Sequence, residues 1–101
     1  MADFDQLMRV YDQQYNLINP QLEPDESLET VVVLTNGFTA HGAVTFIRHS
    51  PDLVTIHGLD GQGYRQAVIV PTDHIYQINL VAVKLQPGEK PRPKMGFQME
   101  P

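Results

Sequence analysis

The stretch Val31-Val32-Val33-Leu34-Thr35-Asn36-Gly37-Phe38-Thr39-Ala40-His41-Gly42-Ala43-Val44 decides the fold class. Three valines followed by a leucine form a β-branched, apolar run, which is a strand signal. Asn36-Gly37 directly after it is the strongest short-range sign of a hairpin, because both central positions of a type I′ turn need positive φ. A second strand is expected from residue 38 to about 47. Gly42 sits inside it, where glycine often marks a bulge or a sharp bend.

Working outward toward the C-terminus, Ser50-Pro51-Asp52 reads as a tight turn. A third strand is predicted over 53–57, a glycine-rich connector over 58–63 and a fourth strand over 66–70. A short turn over 71–74 leads to a fifth strand over 75–85. Five short strands with turns this close predict a closed or partly closed barrel. Toward the N-terminus, Phe4, Leu7, Met8, Tyr11, Tyr15 and Ile18 make the apolar stripe of an amphipathic helix. Asp3 suits its N-cap, Asp5 suits the positive end of its dipole, and Asn19-Pro20 ends it. The expected fold is therefore mainly β: an N-terminal α-helix followed by a five-stranded, strongly bent antiparallel small β-barrel. The domain spans 1–85, with the helix over 3–18, an acidic connector over 19–28 and the barrel over 29–85. Pro87, Pro91, Pro93 and Pro101 predict an extended, poorly ordered tail over 86–101.

A chain of 101 residues suggests one domain. It has no cysteine, which excludes disulfides and thiolate metal sites. No apolar run approaches about 18 residues, so no membrane span is predicted. The acidic start lacks a basic segment followed by an apolar one, and the expected location is the cytoplasm. The net charge is −5 and unevenly placed. Residues 1–28 and 29–80 are both net acidic, and only residues 81–101 are net basic, through Lys84, Lys90, Arg92 and Lys94. A nucleic-acid binder usually shows a basic footprint, so this balance argues against a strong one.

The element order and the spacing of Asn36-Gly37, Gly42-Ala43-Val44, Ile47-Arg48 and Asp52-Leu53-Val54 resemble the first motif of the Sm-like family, which includes the Hfq-type proteins. The resemblance covers roughly residues 3–83, and SH3-type and OB-type barrels are the rival folds. It implies that Gly42 lets the second strand bend and that Val44, Ile47 and Leu53 fill the barrel interior. It further implies a head-to-tail ring in which the fifth strand of one subunit pairs with the fourth of the next. Two inner loops would form a nucleotide pocket. There the chain departs from the family. Arg48-His49-Ser50-Pro51-Asp52 stands where Asp-x-His-Met-Asn is usual, and Pro71-Thr72-Asp73 stands where Arg-Gly-Asp or Arg-Gly-Asn is usual. Of the Tyr-Lys-His segment of Hfq-type proteins, only His74 has a counterpart.

The candidate contacts to single-stranded RNA are accordingly Arg48, His49, Asp52, Asp73 and His74. Histidine can stack on a base and arginine can reach phosphate. The ordinary alternatives are turn polarity for the histidines and an ion pair with Asp52 or Asp73 for Arg48. Four histidines occur, none with a partner at helical metal-site spacing, and no metal or cofactor is expected. The 58–63 loop has neither a phosphate-loop pattern nor a helix after it. No nucleophile–base motif is present, and an enzyme is not expected.

The predicted fifth strand carries one charge and no proline, so its edge either pairs with another chain or closes the barrel within one chain, and pairing is the favoured expectation. Val68, Val70, Ile75, Ile78 and Leu80 are the candidate oligomer contacts. Two functions follow. One is a homo-oligomeric ring binding single-stranded RNA. The other is a homo-oligomeric scaffold for a protein partner, without nucleic acid. The sign of the charge on the inner-loop face discriminates between them.

Overall fold

A computed structural model describes residues 3–99. The order is α1 (Phe4–Ile18), β1 (Glu26–Leu34), β2 (Thr39–Ser50), β3 (Leu53–Leu59), β4 (Arg65–Pro71), β5 (Ile75–Lys84) and β6 (Gly96–Met99). Helix α1 starts where Asp3 accepts the Gln6 amide at 2.7 Å, and it gives way at Asn19-Pro20 to a single 3-10 turn. Among the described residues no helix is long and apolar enough to cross a membrane.

The strands form one sheet in the order β4-β3-β2-β1-β5, with every neighbouring pair antiparallel. Its inner face holds Leu28, Val32 and Leu34 from β1, Val44 and Phe46 from β2, and Val54 and Ile56 from β3. Phe4 and Tyr11 of α1 close this core from above. Residues alternate between faces along a strand. Phe46 therefore takes the interior place expected of Ile47, which falls on the opposite row and is only partly buried. Leu53 is likewise exposed at the turn, and Val54 points inward instead.

The bend is severe. The Thr35 amide donates to the His74 carbonyl at 2.8 Å, and the Thr72 amide donates to the Asp52 carbonyl at 2.9 Å. Thr72 and His74 lie in one 3-10 turn, so Thr35 and Asp52 are within about 15 Å of each other. Between them runs the twelve-residue β2, which would span about 40 Å if straight. Gly42, with φ +82°, is where β2 leaves β1: the β1 ladder ends at Thr30–Gly42, and the β3 ladder is irregular across the same point. The sheet is not closed. Among the described residues β4 pairs only with β3, and β5 only with β1.

Two local expectations are corrected. The Asn36-Gly37 hairpin is not type I′, because Gly37 alone has positive φ, +88°. The Gly37 amide donates to the Leu34 carbonyl and the Leu34 amide to the Phe38 carbonyl. This is a type I turn followed by a left-handed glycine, the three-residue form of hairpin loop. The acidic connector is also shorter than expected, since β1 begins at Glu26.

The predicted loose tail is the larger correction. Residues 96–99 form β6, parallel to β2, in the register Thr45–Gly96 to Arg48–Met99. Met95 is buried in the core cluster, and its amide donates to the Tyr11 hydroxyl at 3.0 Å. The Arg92 amide donates to Ser27 Oγ, and Lys94 pairs with Asp12. At the base of this arm, Glu89 accepts from the Gln86 amide and from Arg92. These two hydrogen bonds hold its carboxyl below the ordinary glutamate range.

Candidate functional site

One end of the sheet is built from the β2–β3 turn, the 3-10 turn over 72–74 and the start of α1. Arg48 ends the inner row of β2, in line with Val44 and Phe46, so its side chain runs beneath the first turn of α1. Its guanidinium lies 5.0 Å from the centre of the Phe4 ring, and Phe4 meets Phe46 edge-on at 5.6 Å. Arg48 Nη1 donates to Asp5 Oδ1 at 2.6 Å and Nη2 to the Pro51 carbonyl at 3.4 Å. Among the described residues its Nε is buried without a hydrogen-bond partner. The Arg48 side chain is 15% exposed, whereas that of Asp5 is 75% exposed.

Of the five proposed RNA contacts, the fold brings Arg48, Asp52 and Asp73 to one open groove of about 390 Å³, whose wall also includes Asp3 and Phe4. His49 lies on the opposite row of β2, where Nε2 and Thr55 Oγ1 are 2.6 Å apart, and it borders a neighbouring groove of about 480 Å³ with Arg48 and Met99. His74 is exposed on the 3-10 turn and does not line the Arg48 groove. The arginine is thus met by Asp5, a partner 43 residues away, rather than by Asp52 or Asp73. Asp5 and Phe4 are the site residues that sequence reasoning missed. The helical stripe placed Phe4 in the core, but nothing in the spacing tied the start of the helix to the second strand.

The electrostatics are acidic. Asp3, Asp5, Asp52 and Asp73 surround one arginine at this end. Among the described residues no group of three or more histidine, aspartate or glutamate side chains is placed to hold a metal ion.

The five oligomer candidates fall on one kind of surface. Val68 and Val70 on β4, and Ile78 and Leu80 on β5, are half-buried and packed against the core from the two free edges, and Ile75 is buried there. The opposite rows of the same strands were missed: Ile69 is 68% exposed, Tyr76 69% and Val81 42%. An open groove of about 330 Å³ runs beside β5, between Leu7, Val10 and Tyr11 of the helix and Ile78 and Leu80 of the strand.

Comparison with known proteins gives no family match: no family model, curated protein or solved structure matches the chain significantly.

Proposed function

We propose that the chain is a ring-forming binding protein of Sm-like small-barrel build, joined head to tail with β5 of one copy against β4 of the next, and that it serves as a scaffold for protein partners. The observation that carries this reading is the pair of free edges on one chain. An open strand edge is a template for pairing with another chain, and proteins normally blunt it with charge, proline or a cover. Here the only charges are Arg65 and Lys84 at the far ends of the two strands, and the only proline is Pro71, the last residue of β4. Contact between two different edges repeats from copy to copy and closes into a ring when the rotation fits. The groove beside β5 would be covered by the next subunit. The severe bend and the motif spacing support the small-barrel assignment.

Protein is favoured over RNA as the ligand by the charge around Arg48. Phosphate binding draws on cations that displace counterions. At this end the arginine is already paired and carboxylates outnumber it. In this reading the chain binds and does not catalyse, uses no metal or cofactor, and works in the reducing cytoplasm, which its lack of cysteine fits. Filter binding of short uridine-rich and adenine-rich RNAs at low salt tests the choice of ligand. The scaffold reading expects no retention at about 100 µM protein, the weak end of ordinary non-specific affinity. Retention that falls steeply with added salt would overturn it in favour of RNA.

A further inference from the structure

At Gly42 the second strand parts from β1, and from Thr45 to Arg48 it would present a bare flank in the middle of the sheet. The chain's own C-terminus fills that flank as β6. The seat is specific. Gly96 packs on Thr45 so closely that a Cβ there would stand 3.2 Å from Thr45 Oγ1. Phe97 lies 5.7 Å from the Phe4 ring, Met95 enters the core, and Lys94 and Arg92 meet Asp12 and Glu29. The seat is also slight. β6 is four residues long, and Phe97 and Met99 are exposed on it.

We propose that this flank of β2 is a strand-addition site whose occupant is exchangeable, and that the C-terminal arm of a second copy takes the place of the chain's own. Addition of an extended segment to an open strand draws affinity from the backbone ladder and selectivity from side-chain seats. The flank selects an apolar-Gly-aromatic-polar-apolar segment with two basic residues just before it. A second copy carries that segment in full, including the cations that match Asp12 and Glu29. Exchange keeps every one of these contacts and alters only the linker, the condition under which swapping costs least. The linker is an exposed turn, closed by the Glu89 amide on the Gln86 carbonyl with Gly88 at φ +85°. This inference does not depend on the β4 and β5 edges.

The absence of cysteine makes the test clean. A Cβ at position 96 would lie 3.7 Å from Thr45 Cβ, within the range a disulfide needs. A fluorescent peptide of residues 92–99 is titrated into the unmodified chain and into oxidised Thr45→Cys/Gly96→Cys protein. The peptide should bind the unmodified chain, fail to bind the locked variant, and bind again once the lock is reduced. Equal binding to the locked and reduced forms, or no binding to the unmodified chain, overturns the proposal. Independently, Thr45→Cys protein mixed with Gly96→Cys protein should yield a covalent pair of two 11.4 kDa chains, bridged between positions 45 and 96. Absence of that bridge also overturns it. This second arm stands even if the double variant does not fold, and neither readout depends on the mass of the unmodified assembly.

Discussion

Arg48 and Asp5 stand 2.6 Å apart across 43 residues of chain, and the arginine is the more deeply buried of the two. The pair ties the first turn of α1 to the end of β2 and occupies Arg48, which among the described residues is the one cation lining the groove with Asp52 and Asp73. Asp5→Asn should lower stability by on the order of 1 kcal/mol, because the new amide oxygen can still accept from Arg48 while the charge that offsets a largely buried guanidinium is lost. It should also strengthen retention on a polyanion column, because the Arg48 guanidinium is no longer neutralised. Unchanged retention would show that Asp5 is not what occupies Arg48.

The Tyr11 hydroxyl lies 2.7 Å from Thr30 Oγ1 and receives the Met95 amide at 3.0 Å, joining helix, sheet and arm at one buried oxygen. Tyr11→Phe leaves the buried Thr30 hydroxyl and the Met95 amide without this partner. The expected cost is about 1–3 kcal/mol in urea unfolding. Thr30→Val in the Tyr11→Phe background should recover part of it. A double variant no more stable than Tyr11→Phe alone would contradict this account of the contact.

Gly37 and Gly42 share a left-handed backbone and differ in their surroundings. A Cβ at Gly37 would meet nothing within 4 Å, whereas at Gly42 it would stand 3.2 Å from Leu59 Cδ1. Gly37→Ala should cost about 1–2 kcal/mol, from backbone strain alone. Gly42→Ala adds crowding to the same strain and should cost more. Thermal unfolding of the two variants ranks them, and the reverse order would contradict the role given to Gly42 as the bend of β2.

The helix and the first five strands were legible in the sequence because their signals are local. The apolar stripe from Phe4 to Ile18 has one period, the alternating rows of β1 and β2 have another, and Pro20, Pro51 and the glycines punctuate them. What escaped depends on distant residues. Gly96-Phe97-Gln98-Met99 is too short and too close to prolines to declare a strand, and it becomes one because Gly42 leaves a flank of β2 bare. The Arg48–Asp5 pair depends on α1 crossing the end of the sheet. The hairpin at Asn36 was legible as a turn but not as a turn type, since Asn-Gly also fits a type I turn closed by a left-handed glycine.

The exposed rows of the two free edges offer a test that spares the core. Ile69→Lys on β4 and Val81→Lys on β5 each place a charge on an exposed position of a free edge strand, the device by which proteins discourage edge pairing. Because a head-to-tail contact uses one edge of each kind, either change alone should abolish edge-to-edge assembly in sedimentation, leaving single chains or arm-exchanged pairs, with circular dichroism unchanged. Retention of the assembly in both variants would place the contact elsewhere.

The mass of the unmodified protein in solution tests the central claim most directly. Light scattering coupled to size exclusion at micromolar concentration should give one species of several chains, a whole multiple of 11.4 kDa greater than one, stable on dilution. A single species of 11.4 kDa would contradict the account, since β4 and β5 would then remain unpaired edges and the ring would not exist.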